Sequence, residues 1–314
     1  MEPGFRAAYL AGQQARAERR LEDAIALLSQ AVELDPAHAG ARLELGMALL
    51  AAGRLTEGFA QYEWRELRRR RAAFMRANYA YPEWRGEPLA GKRLLVLGEQ
   101  GFGDQILMAR FLPRLDAAEV VYVGGAELER LFAQLPVRYL RQDLAKERPD
   151  ADYWIFVMSI PERLGVTLES LPAGPYLHAP ARHTGGRIGF AWQGAAYNPN
   201  DRFRSLPPEI VARLLGRPGV VSLQPRDTGA ADFQATAEIV AGLDLVVSVD
   251  TAVAHLAGAM GKETLVMLGA HGLDWQWLAG RSDSPWYPSV RVIRQPAPGD
   301  WDAVAQAVEA ALPA

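Results

Sequence analysis

The sequence predicts an α-helical repeat region followed by two successive α/β units whose parallel sheets face each other across a cleft. Three observations predict it. Small and apolar residues near the amino terminus recur with a period of about 34 residues. From residue 93 the pattern changes to short β-prone apolar runs separated by helical stretches, and after a proline- and glycine-rich break at 168–186 that alternation starts again. The chain of 314 residues, 49% hydrophobic and 23% charged, is long enough to bury about two or three ordinary cores. The expected divisions are 1–76 for the repeats, 77–180 for the first α/β unit and 181–314 for the second.

In the repeat region Ala8, Ala11, Gly12, Ala15, Ala24, Leu28 and Ala31 precede Pro36, and one constant offset carries Gly12 to Gly46, Ala24 to Gly58 and Leu28 to Tyr62. Small residues therefore recur where paired helices approach closely, and the proline marks the turn, which fits a tetratricopeptide repeat. Two copies fall short of the three or so that a free-standing array needs, so the pair is expected to pack on the next unit, with a partner or acceptor protein as a further possible client. The run RELRRRR at 65–71 reads as a helix end whose arginines complement the dipole and stay in water. YAYPEWRGEPLAGKR, residues 79–93, reads as a linker pinned by Trp84.

The first α/β unit shows strands in RLLVLG (93–98), EVVYV (119–123) and YWIFV (153–157). The second shows them in RIGFAWQG (187–194), VVSLQ (220–224), DLVVSV (244–249) and TLVMLG (264–269). Helices are expected near 207–215, 232–241 and 251–260, and GDWDAVAQAVEAAL at 299–312 closes the chain as an amphipathic helix. A net charge of −3 supplies no general attraction to nucleic acid, and no apolar run approaches the roughly 20 residues of a membrane span. With no cysteine, disulfides, thiolate metal sites and cysteine nucleophiles are excluded, and a cytoplasmic location is expected.

The turn after the first strand, in GEQGFGDQILMARFLPRL (98–115), has the outline of a phosphate-binding loop but not its chemistry. Ile106 stands where a dinucleotide fingerprint needs its third glycine, and Asp104 and Gln105 stand where a P-loop needs lysine and a hydroxyl. A carboxylate at a helix start repels phosphate. The turn suits a neutral hydroxyl, approached closely at Gln100, Gly101 and Gly103 and facing Asp104 as a proton acceptor; the alternative is that Asp104 only caps its helix.

The second unit supplies a complementary end. Its strand finishes at Asp250, and Thr251, Ala252 and Val253 open a helix whose free N–H groups can cradle a diphosphate. Arg202, Arg204 and Ser205 lie in a loop after an earlier strand, where a guanidinium can neutralise a departing diphosphate or simply remain solvated. Trp192, Gly194 and Gln224 end strands on the same side, as base or ribose contacts or, for Trp192, as core; Asp274 and Trp275 are weaker candidates facing the cleft. Asp150-x-Asp152 is formally a metal-binding D-x-D, but its place in a polar stretch before a strand argues against that role, and no histidine cluster supports a metal site.

VDTAVAHLAGAMGK, GFGDQILMARFLPRL and WQGAAYNPNDRFRSLP together resemble the signatures of GT-B glycosyltransferases, which have two facing Rossmann-like domains. They resemble in particular the lipopolysaccharide heptosyltransferases and their bacterial relatives fused to tetratricopeptide repeats. The likeness covers nearly the whole chain, and the layout also resembles O-GlcNAc transferase with far fewer repeats. It implies Asp104, in the pair Gly103-Asp104, as catalytic base, and Asp250, Thr251, Ala252 and His255 as donor-binding residues, with His255 donating to phosphate or packed. The family commonly has lysine where this chain offers Arg202 or Arg204. The implied reaction is an inverting single displacement from a nucleotide sugar to a protein or glycan hydroxyl, with no metal or other cofactor. An inactive protein-binding module and a nucleotide-sugar epimerase are the alternatives.

Overall fold

The computed structural model describes residues 3–143, 149–172, 174–185, 187–194, 201–270 and 275–312, without the side chains of Leu67, Asn78 and Arg202. Five helices come first: α1 (Pro3–Ala17), α2 (Leu21–Leu34), α3 (Ala39–Ala51), α4 (Leu55–Tyr62) and α5 (Glu66–Asn78). The first four form two hairpins, and the small residues of the repeat are what let them close. A β-carbon on Gly12 would stand 2.7 Å from Leu28 Cγ, and one on Gly46 would stand 2.8 Å from the backbone nitrogen of Tyr62. The equivalence of these positions, legible in the repeat offset, is thus a shared helix-to-helix contact.

The first lobe follows as β1 (Arg93–Leu97), α6 (Phe102–Ala109), β2 (Glu119–Gly124), α7 (Ala126–Phe132), β3 (Arg138–Arg141), β4 (Tyr153–Phe156) and α8 (Ile160–Arg163). Its four strands are parallel in the order β3-β2-β1-β4. The second lobe runs β5 (Ile188–Ala191), α9 (Asp201–Arg204), α10 (Pro208–Leu215), β6 (Val220–Ser222), α11 (Pro225–Thr228), α12 (Phe233–Ala241), β7 (Leu245–Val249), α13 (Ala252–Ala259), β8 (Thr264–Leu268), β9 (Val290–Arg294) and α14 (Trp301–Ala311). Its five strands are parallel in the order β6-β5-β7-β8-β9. The α/β character and the crossover helices follow from the near-continuous apolar runs, since a parallel strand is covered on both faces. The linker tryptophan does pin the chain, with Trp84 donating its backbone N–H to Trp154 O at 2.8 Å beside β4.

The boundary expected at 76/77 falls inside α5, whose Ala72 and Met75 pack on Leu95, Leu97, Val121, Trp154 and Phe156 and so cover one face of the first sheet. The helix that follows the two hairpins is therefore the outer layer of the first lobe. The run RELRRRR opens this helix instead of ending one, and two of its arginines leave the solvent. Arg65 is 2% exposed and Arg68 9%. Arg65 grips both carboxylate oxygens of buried Glu99, in the loop after β1, and donates to Ser159 Oγ at 2.9 Å and Glu63 Oε1 at 2.9 Å. Arg163 donates to Glu63 Oε2 at 2.8 Å, and Arg68 pairs with Glu83. Burial works against the ionisation of Glu63, yet Arg65, Arg68 and Arg163 around it hold its carboxyl below the ordinary carboxylate range. Beside the neighbouring Glu63, the buried partners Glu99 and Glu83 lie 34 and 15 residues away in sequence, which is why these arginines read in sequence as a solvated helix end.

One apolar core runs through all three parts, joining Leu50, Phe59 and Tyr62 of the second hairpin to Val96, Ile106 and Met158 of the first lobe and to Leu256, Trp275 and Trp286 of the second. Arg110, at the end of α6, adds a polar latch. It is buried against the rings of Tyr176, Trp286 and Tyr287 at 5.0, 5.3 and 4.6 Å and donates to Pro172 O at 3.0 Å and Trp286 O at 2.6 Å. Such contacts are favourable for a desolvated guanidinium, which has no water left to bind. Among the described residues no helix is long and apolar enough to cross a membrane.

Removing one partner of a buried pair leaves a bare charge. Arg65→Ala is therefore expected to cost about 3–5 kcal/mol in urea denaturation. Arg70→Ala, which breaks an exposed pair with Glu66 at 2.6 Å, is expected to change stability by under about 0.5 kcal/mol in the same experiment.

Candidate active site

The two lobes meet tip to tip. Helix α6 begins at Gly101 and α13 at Thr251, each directly after a central strand, so the carboxyl edges of both sheets bring two helix starts together. Gly103 is what permits the contact: a β-carbon there would lie 2.8 Å from His255 Cδ2 and 3.3 Å from Ala252 Cα. The tip of α13 is therefore covered on one side by α6, while Thr251, Ala252 and Val253 stay half-exposed.

Asp104 sits at this junction in the first turn of α6, half-buried. Its Oδ2 accepts the Gly101 N–H at 3.1 Å and its Oδ1 accepts Gln276 Nε2 at 2.9 Å from the opposite lobe. It caps its helix, as the alternative reading had it, and also faces the other lobe. Withdrawal from water, with smaller contributions from Asp250 and Glu99, pushes its carboxyl up to about 6 against the opposing hydrogen bonds from Gln276 and Gly101, although part of its surface still opens on the crevice. The loop that carries it is held under strain. Gln100 is exposed and takes a left-handed backbone (φ 60°), a conformation few residues but glycine adopt, between buried Glu99 and Gly101.

On the second lobe Asp250 Oδ1 accepts the indole N–H of Trp277 at 2.7 Å. Arg204 donates to Asp250 O at 2.8 Å and to Asp201 Oδ1 at 3.2 Å, so its guanidinium is held beside the start of α13. Asp201 organises the neighbourhood, accepting also from Gly194 N at 2.9 Å and from Ser205 Oγ at 2.7 Å. This loop is accordingly built, and Arg204 is half-buried within it instead of standing in solvent. The side chain of Arg202 and the whole of Asp274 lie outside the described residues.

His255 is 4% exposed, stacked on Trp277 with ring centroids 4.9 Å apart and bonded through Nδ1 to Tyr287 OH at 3.1 Å. Its placement is that of a packed histidine. Burial depresses its imidazole to about 4, so at neutral pH the ring is uncharged. Trp192 is likewise core, 6% exposed against Phe190, with the Arg226 guanidinium 5.9 Å from its ring. Trp275 does not face the cleft but packs at 5.7 Å against Phe59 of the repeats, because the second hairpin fills that side. Gln224 is buried at the end of β6, and its Nε2 meets no acceptor among the described residues, an arrangement that invites a ligand. Because β6, β5 and β7 are neighbours, Gln224, Trp192 with Gly194, and Asp250 follow one another along one sheet edge. Asp150 and Asp152 pair with Arg93 and Lys92 at the opposite edge of the first sheet, away from the junction.

Comparison with known proteins accords with this layout. Residues 15–58 match the tetratricopeptide repeat model, and residues 227–295 match glycosyltransferase family 9 (heptosyltransferase). The chain carries a repeat joined to a glycosyltransferase family 9 segment. Protein FlbA of Caulobacter vibrioides is 28% identical over 325 aligned residues, which cover 84% of this chain and 53% of that protein, so the chain spans about half the length of this curated relative. Among solved structures, the glycosyl transferase family 9 protein of Veillonella parvula is 14% identical with a TM-score of 0.47, covering 72% of this chain and 91% of that one. ADP-heptose lps heptosyltransferase II of E. coli is 13% identical with a TM-score of 0.45, covering 69% of this chain and 98% of that one. No feature of the site is carried over from them.

Asp104 and His255 tie stability to pH in opposite senses. The unfolded imidazole takes a proton near 6.5 that the folded ring refuses until about 4, so acidification through this window destabilises. The folded Asp104 carboxyl takes its proton at about 6, the unfolded one only at 3.8, so acidification through that window stabilises. Asp104→Asn is therefore expected to be more stable than the parent at pH 8, by on the order of 1–2 kcal/mol after allowing for the wet part of the carboxylate. It is also expected to lose more stability than the parent between pH 6.5 and 4.5, in parallel urea titrations.

Proposed function

We propose that this protein is an inverting glycosyltransferase that moves a sugar from a nucleotide-sugar donor to a hydroxyl of a protein or glycan. The observation that carries the reading is the junction itself: a carboxylate with a raised proton affinity on one lobe faces a half-open helix tip with a fixed guanidinium on the other. In this reading Asp104 accepts the proton of the attacking hydroxyl as the oxygen bonds to the anomeric carbon and the bond to the diphosphate breaks. The departing charge is met by the N–H groups at Thr251 and Ala252 and by Arg204, groups already oriented before the reaction and so stabilising without rearrangement. The chemistry described needs no metal, and the nucleotide extends along the sheet edge towards Gln224, whose amide, without an acceptor among the described residues, gains one. The acceptor lies over Gln100, Gly101 and Gly103 on the first lobe.

A second reading, a module that binds without turnover, draws on the close contact of Gly103 with Ala252 and His255, which covers one side of the helix tip. Calorimetry with a panel of nucleotide sugars, followed by assays of transfer and hydrolysis, separates the two: binding and turnover are expected, and binding without turnover on any acceptor class supports the module. Asp104→Asn is expected to lower turnover about 10²–10⁴-fold while retaining donor affinity. Because the base must be ionised, turnover in the parent is expected to rise with pH through about 6 and then level off. A pH profile flat from 5 to 8 removes Asp104 from the role.

A further inference from the structure

Three consecutive residues after the second-lobe strand β8 touch the repeats, the first lobe and the second lobe. Trp275, 4% exposed, lies edge-on to Phe59 at 5.7 Å and beside Tyr62 at 6.1 Å, both on α4. Gln276 donates across the lobe interface to Asp104 Oδ1 at 2.9 Å. Trp277, fully buried, donates to Asp250 and stacks on His255. The segment is then tied back to the repeats by the Ala279 N–H, which donates to Ala51 O at 2.8 Å, and Leu278 before it takes a left-handed backbone (φ 46°) to make that turn.

We propose that Gln276 is a positioning residue for Asp104, fixing its carboxylate from the opposite lobe, and that the second repeat hairpin fixes Gln276 in turn through Trp275. The proposal rests on the reading of Asp104 as the base. Carboxylate rotation is arrested only when both oxygens are engaged, and here Oδ2 is held by Gly101 and Oδ1 by Gln276. Each oxygen retains a lone pair for the proton of an acceptor hydroxyl. The ionisable groups around Asp104 are Asp250 at the end of β7, Glu99 in its own loop, Tyr62 on α4 and His255 on α13, which burial keeps uncharged near neutral pH; none of them is cationic there, while Arg204 is engaged by Asp201 and Asp250 O. The amide of Gln276 is thus one of only two hydrogen bonds among the described residues that favour the ionised base. The repeats, in this view, belong to the catalytic assembly whatever else they bind.

The test uses the full chain labelled with ¹³C-aspartate, with the Asp104 carboxyl resonance assigned by its loss in Asp104→Asn. In Gln276→Leu the protonation midpoint of Asp104 is expected to rise by about one pH unit. The acid limb of the turnover profile should move up with it, and the plateau rate should fall about tenfold. A merely structural role would lower the plateau and leave the midpoint in place, and an unmoved midpoint overturns the proposal. Gln276→Asn, which shortens the amide without making the site apolar, should move the midpoint in the same direction and guards against a misfolded leucine variant. Phe59→Ala should move it less, and no movement there overturns the share assigned to the repeats. If the midpoint moves in Gln276→Leu but the parent transfers no sugar, the transferase reading fails and the positioning contact stands.

Discussion

The constraint on which the rest depends is the burial of Arg65 against Glu99. A guanidinium taken out of water must be met on every side, and this one is met by a carboxylate in the loop that leads into α6. The first residue before α5 and the second residue before Gly101 are thereby locked together. With Glu99 held and Gly101 starting a helix, Gln100 has little choice but the left-handed backbone it adopts. Asp104 then falls where its carboxylate reaches both its own helix start and the opposite lobe. A charge pair that contributes modestly to net stability can still decide geometry, because drawing Glu99 away from Arg65 would leave a buried ion unpaired.

The junction shows how one environment sets two acid–base groups apart. Asp104 and His255 are both withdrawn from water, and withdrawal favours the neutral form of each, which raises the carboxyl and lowers the imidazole. Near neutral pH Asp104 can exchange a proton, whereas His255 stays an uncharged aromatic plate between Trp277 and Tyr287. The plate matters sterically: a β-carbon on Gly103 would meet its edge at 2.8 Å and Ala252 Cα at 3.3 Å, so the two helix starts approach this closely because residue 103 has no side chain.

What the sequence discloses and what it hides follow from where the information lies. The helical repeat, the parallel sheets and the meeting of the Gly103–Asp104 turn with the start of α13 were legible because each is written in local pattern: a constant offset, apolar runs, a carboxylate or small residues at a strand end. The strands RYLR (138–141) and VRVIR (290–294) went unseen because both are edge strands whose outward residues break the apolar run. Arg65 and Arg68 read as surface residues because two of the acids that pair with them in the interior, Glu99 and Glu83, stand 34 and 15 residues away, and the nearby Glu63 is itself withdrawn from water only by the fold. Gln276 and Asp201 were missed for the same reason. Nothing in HGLDWQWL or NDRFRS says that one amide will cross to the other lobe or that one carboxylate will gather Gly194, Arg204 and Ser205. Local pattern specifies elements; long-range partners specify which polar side chains matter.

Helix α5 has a consequence for how such an architecture can vary. It follows the two hairpins and roofs the first sheet through Ala72 and Met75, so its neighbour on that side is already a sheet. An array of this kind can gain or lose hairpins on the amino-terminal side of α1 but not between the second hairpin and the lobes. Inserting one next to the lobes would strip Trp154 and Phe156 of their cover and leave Glu99 without its cation. Growth of the repeat region would therefore extend reach while leaving the stem beside the lobes unchanged, much as a handle can be lengthened without recutting the tool it holds.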